Sequence, residues 1–212
     1  MGKYEKGILG SFQGTVGTVT GSTWKGIEVM KIKRKKGMPN PTKQQIVQQA
    51  KFSFMIKFVS ALSKLFAVSF RSTAVKMTGV NGAFRYNYQN ALTGVYPSFS
   101  LDHSKVLVSK GELLNANNPV AIAGAGGLVE FTWTDNSGLA QAQATDKAIM
   151  VVYCPELNRS VYITNGPVRT SGTAAINAGI FSGRTVHTWL AFISEDEREV
   201  ASSVYTGQVV VS

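Results

Sequence analysis

The sequence predicts an α+β fold that is mainly β: an N-terminal β-hairpin and one long helix, then an antiparallel β-sandwich of immunoglobulin or fibronectin-III type. Three observations predict it. Seven short runs of period two, separated by turn residues, fill the chain from Lys105 onward. The stretch from Thr42 to about Phe70 contains no Gly or Pro and carries a helical apolar pattern. The opening places glycines at 7, 10, 14, 17, 21 and 26 between runs of β-type residues.

In chain order, the opening reads as a glycine-punctuated hairpin or two, with Gly21-Ser22 suited to a tight turn. Glycines at this density let a backbone twist or approach another closely, but they weaken a free strand. Such a strand pair gains most by docking on something else. Lys31-Ile32-Lys33-Arg34-Lys35-Lys36 follows, and Gly37-Met38-Pro39-Asn40-Pro41 stops it. Asn40 is placed to cap a helix whose first residue is Pro41. Wound at 100° per residue, that helix sets Val47, Phe54, Phe58, Leu62 and Leu65 on one side and Lys57, Lys64 and Arg71 on another flank. Phe52, Ile56, Phe66 and Phe70 widen the apolar arc, so it calls for packing on more than one side. A short second helix is expected around Ala83 to Leu92, ended by Gly94.

The seven β-runs are Val106 to Ser109, Val120 to Ala123, Leu128 to Trp133, Ala148 to Tyr153, Val161 to Thr164, Val186 to Ile193 and Val204 to Val211. Trp133 and Trp189 read as core aromatics. With a single cysteine, Cys154, an intramolecular disulfide and a Cys-rich zinc site are both excluded, and its apolar surroundings make it a buried structural thiol. Two domains are expected, a basic arm-and-helix region over 1–104 and the sandwich over 105–212.

Charge divides along the same line. Residues 1–110 hold seventeen Lys and Arg against three acids, a net of +14, whereas 111–212 hold five against nine, a net of −4. A split of this kind points to a polyanionic partner or to an acidic region on a neighbouring copy; its plainer reading is a lysine-rich solvated face. The N-terminus lacks an apolar stretch of signal-peptide length, and no segment has the roughly 18 uncharged residues of a membrane span. The expected location is the cytoplasm or a virion.

No catalytic pattern emerges. His103 follows Asp102, but neighbours on a strand point to opposite faces, and His187 reads as a partly exposed strand residue. No HExxH, GxSxG or EF-hand loop occurs. Gly124-Ala125-Gly126-Gly127 lies between two strands with no helix after it, so it reads as a hairpin loop and not a phosphate cradle. The expectation is therefore no enzyme, no cofactor, no metal and no small-molecule substrate. Glu195-Asp196-Glu197-Arg198-Glu199 is either a solvated turn or a dock for the basic run of another copy.

Candidate polyanion contacts are Lys31, Lys33, Arg34, Lys35 and Lys36, joined by Lys57, Lys64 and Arg71. No RNP-type or KH-type motif accompanies them, and a lysine-rich strand edge that blocks unwanted sheet pairing explains the run equally well. Candidate assembly residues are Trp24, Phe54, Phe58, Leu62 and Phe66, the exposed aromatics and the over-wide helix face.

The segments GILGSFQGTVGTVTGSTWKGIEVM, NPTKQQIVQQAKF, SKVLVSKGEL and VHTWLAFISEDEREVASSVYTGQVVV resemble, in that order, an uncharacterised family of about this length in Bacteroidota and their phages. The sequence departs at Gln49, where a basic residue is expected. The resemblance implies a source and the same two-part layout, and it transfers no catalytic residue. Two functions follow as expectations: a non-enzymatic, self-assembling structural protein of a phage virion or particle, homo-oligomeric with a basic face; or a sequence-independent nucleic-acid-binding protein. A surface adhesin is disfavoured by the missing export signal.

Overall fold

The structure, a computed structural model, describes residues 3–4, 11–33, 40–71 and 76–212. Its contacts divide the chain into two compact units, 1–46 and 47–212, so the boundary expected at 104/105 falls inside the second unit.

The first unit is an antiparallel meander of four strands in sequence order: β1 (Lys3–Tyr4), β2 (Phe12–Val16), β3 (Val19–Trp24) and β4 (Ile27–Ile32). Two-residue turns join the last three. Gly17 (φ 57°) opens one, and Lys25 (φ 48°) with Gly26 (φ 77°) forms the other, where paired positive φ matches the strand twist. Gly21-Ser22 makes no turn; it lies inside β3, with Gly21 opposite both Gly14 and Met30. A β-carbon at Gly21 would strike the Phe12 carbonyl. Phe12 and Gly21 are the only buried residues among those described in this unit.

The helix does not start at Pro41. Helix α1 covers Lys43–Ala61, and Thr42 closes a reciprocal cap: the Gln45 N–H donates to Thr42 Oγ1 (3.3 Å) and the Thr42 N–H donates to Gln45 Oε1 (2.9 Å). Nor is it one helix. At Leu62 (φ −120°, ψ 14°) the chain breaks and α2 (Ser63–Ser69) sets off at 78°. No Gly or Pro causes this. The bend lets Met55, Phe58, Val59, Leu62, Leu65, Phe66 and Phe70 all reach the same core. Helix α3 (Gly79–Asn90), capped by Thr78, starts before the expected Ala83, and Gly94 lies in a strand: β5 (Leu92–Val95) and β6 (Ser98–Leu101) form a hairpin.

The sandwich comprises β7 (Asn117–Ala123), β8 (Leu128–Thr134), β9 (Lys147–Cys154), β10 (Arg159–Ile163), β11 (Thr173–Asn177), β12 (Thr185–Ile193) and β13 (Val204–Val210). They divide into β11-β8-β7 and β10-β9-β12-β13, antiparallel throughout. The fourth strand pairs with the third, the fibronectin-III arrangement, and not with the first sheet as in an immunoglobulin constant domain. Between the sheets lie Phe131, Trp133, Ile176, Met150, Val152, Leu190 and Phe192. The expected strand at Val106 to Ser109 is absent, because side chains take its backbone groups: Asn87 bonds the Leu107 N–H and C=O (both 3.0 Å), Ser69 Oγ donates to the Val108 carbonyl (2.7 Å), and Ser203 Oγ accepts from the Val108 N–H (2.9 Å). The seventh strand is β11, whose Thr-Ala-Ala-Ile-Asn is too small and polar to stand out.

The four-stranded sheet is buried on both faces. Opposite the sandwich core, Ile149, Val151 and Tyr153 of β9 and Trp189, Ala191 and Ile193 of β12 meet the three helices. The second unit thus has three layers. One ion pair is sealed within it: Arg169 donates from Nε and Nη2 to Asp146 Oδ2 (3.2 and 3.0 Å) and from Nη1 to Asn136 Oδ1 (2.8 Å), while lying over the Phe192 ring. Full satisfaction of its neighbours makes that burial tolerable. Among the described residues, no single helix is long and apolar enough to cross a membrane.

Candidate functional site

The meander exposes apolar side chains on both faces. Cross-strand partners point the same way, so Val16 with Val19, Val19 with Ile32, and Met30 across from Gly21 form one face, and Trp24 with Ile27 lies on the other. Ile32 is 80% exposed, Met30 69% and Trp24 47%. Lys31, across from Thr20, is exposed on the face of Trp24 and Ile27, and Lys33 is exposed just past the strand; Arg34, Lys35 and Lys36 lie outside the described residues.

Lys57, Lys64 and Arg71 are exposed as expected, but the bend at Leu62 separates Lys57 from the other two and breaks the straight row. Residues 47–110, which build the helical layer, contain eight Lys and Arg and a single acid, Asp102, a net of +7. That acid is held by Lys105 at 3.2 Å. Of the candidate assembly residues, Phe58, Leu62 and Phe66 are buried against the sheet within the same chain (2%, 0% and 0% exposed), which removes them from any surface. Phe54 is half-buried and Trp24 exposed.

Three residues from these lists meet in a cleft of about 400 Å³. Phe54, Lys57 and Phe58 of α1 form one wall; Ser100, Leu101 and His103 form a second; Tyr153, Pro155 and Asn158 of β9 and the turn after it close the third. Phe58 meets Tyr153 edge to face at 5.2 Å. The Tyr153 hydroxyl donates to Asn158 Oδ1 (2.9 Å) and Asn158 Nδ2 donates to the Lys57 carbonyl (3.1 Å), tying the strand end to the helix.

Behind this cleft His103 and His187 stack face to face, ring centroids 3.5 Å apart and 8° from parallel. His187 Nδ1 lies 2.8 Å from the Tyr205 hydroxyl, and His103 Nε2 is buried with no hydrogen-bond partner. Burial, then the neighbouring His187 ring, pushes the His103 pKa down to about 4 against the pull of Asp102. Burial likewise lowers that of His187 and raises that of Tyr153 to about 12. The sequence reading missed this pair because each histidine, taken alone, has an ordinary neighbourhood; only the pairing of β12 with β9 and the turn at 103–105 brings them together.

Fold and surface define a protein of one class: a fibronectin-III-like sandwich whose larger sheet carries a cationic helical layer. The chain belongs to DUF6266, a family of unknown function, whose profile matches residues 11–207. Comparison with curated proteins gives no match. Among solved structures, the chain is similar to the fn3 domain of human collagen alpha-1(XX) chain, at 12% identity, covering 49% of this chain and 90% of that one with a TM-score of 0.33. A likeness that slight carries no argument.

Proposed function

We propose that this chain is a non-enzymatic structural protein that assembles head to tail with copies of itself, as a component of a phage virion or similar particle. The meander carries the reading. Its four strands bury only Phe12 and Gly21 among the described residues, and they leave Val16, Trp24, Ile27, Met30 and Ile32 in water. A sheet with so little core gains stability by docking.

The occupant is the outer face of β11-β8-β7 on a second copy. There Val120 and Ile122 are 49% and 51% exposed, and Glu130 sits directly across from Ile122, so an apolar patch with an acid meets the meander face on which Trp24 and Ile27 lie with Lys31. Two different surfaces joined in this way propagate into rings or filaments. Sedimentation velocity from low to high micromolar concentration tests it. Mass should rise with concentration, and both Trp24→Thr with Ile27→Thr and Ile122→Thr should return the chain to monomer with an unchanged thermal melt. A monomer at the highest concentration, or oligomers that ignore all these substitutions, overturns the reading.

A sequence-independent nucleic-acid-binding role is the second reading, favoured by the net +7 of the helical layer and by exposed Lys31 and Lys33. Affinity for arbitrary single-stranded DNA would then fall as a power of salt concentration, with a slope of roughly −0.7 per phosphate neutralised. Absent binding at low salt, or affinity indifferent to salt, excludes it.

A further inference from the structure

We propose that the cleft between α1, β6 and the turn after β9 binds a small organic anion, a carboxylate carried on a flat apolar body. This departs from the expectation that the chain takes no small molecule. The volume, about 400 Å³, is that of a ligand site and too small for a folded partner. Phe54, Phe58, Leu101, Tyr153 and Pro155 supply broad apolar walls, three of them aromatic.

The polar groups select the ligand's charge. Lys57 is the one formally charged residue of the lining, and no carboxylate accompanies it. Asp102, the sole acid of the helical layer, is turned to Lys105 and to the Ser104 hydroxyl, so it does not neutralise Lys57. The Tyr153 hydroxyl and both polar atoms of the Asn158 amide are engaged with protein, and the Ser100 hydroxyl lies 2.9 Å from that of Thr93, which fixes the walls in place and leaves the Lys57 ammonium as the group that turns toward a ligand. A cation would meet only like charge there. A neutral apolar molecule would leave the ammonium beside it without a counter-charge.

Isothermal titration and NMR of the full chain with 2-naphthoate, and with 2-naphthamide as its neutral counterpart of the same shape, provide the test. Saturable one-to-one binding of 2-naphthoate is expected, with the amide at least tenfold weaker. Lys57→Met should erase that difference, since Lys57 is exposed and its loss does not disturb the core. Ser100→Phe, which fills the cleft from an exposed strand position, should abolish binding of both compounds. Arg85→Met, in the separate cleft beside Tyr86 and Lys110, should change nothing. The proposal is overturned if 2-naphthoate shows no saturable binding, if the amide binds equally well, or if Lys57→Met leaves the preference intact. Thermal melts of each variant separate lost binding from lost fold.

Discussion

At His103 the fold holds a neutral imidazole where water would readily charge it. Its pKa drops from an ordinary 6.5 to about 4 on burial against His187, which is itself lowered. The unfolded chain therefore binds more protons than the folded one between those two values. Stability from the stacked pair is complete above about pH 6.5 and is lost as pH falls toward 4. Urea midpoints should decline across that window, and His103→Phe, which keeps a ring in the stack, should flatten the decline. A wild-type midpoint that does not fall between pH 7 and 4.5, or a variant with the same slope, would contradict the assignment. At this scale the sequence was least informative. Trp133, Trp189 and Cys154 could be placed in the core from their apolar neighbours, but stacking between two separated histidines depends on strand register.

Among the elements, the helical layer shows where pattern reading succeeded and where it stopped. The apolar arc over 42–70 was expected to pack on more than one side; Phe58, Leu62, Leu65, Phe66 and Phe70 meet the second face of the four-stranded sheet, whereas Phe52 and Ile56 stay exposed. A signal for that cover was present: Ala148 to Cys154 is an unbroken apolar run, whereas a half-exposed strand alternates. The bend at Leu62 had no such signal, because packing and not a breaker residue imposes it. Phe66→Ala should therefore cost about 3–5 kcal/mol in denaturant unfolding, as expected for a buried aromatic, and leave the oligomeric state at a given concentration unaltered in whatever fraction stays folded. Dissociation without loss of stability would restore Phe66 to an interface.

For the whole molecule, the chain divides at 46/47 and not at the expected 104/105. The sandwich and the helices complete each other within residues 47–212, and the proposed assembly calls for a partner at the meander alone. The sandwich was legible because turn residues separate its strands regularly. The domain boundary was not, since the helices follow the basic arm in sequence but share their core with the sheet. The charge split acquires a place as well: its cations line the meander and the helical layer, and its acids include Glu130 and the exposed loop Glu195 to Glu199.

The most direct measurement of the central claim is hydrogen–deuterium exchange of the full chain as a function of concentration, followed at peptides covering 12–32 and 117–134. If a second copy completes the meander, amide protection in both segments rises together as mass increases, while β9 and β12 stay protected throughout. Protection at 12–32 that is the same at every concentration, or that rises without any change at 117–134, would contradict it.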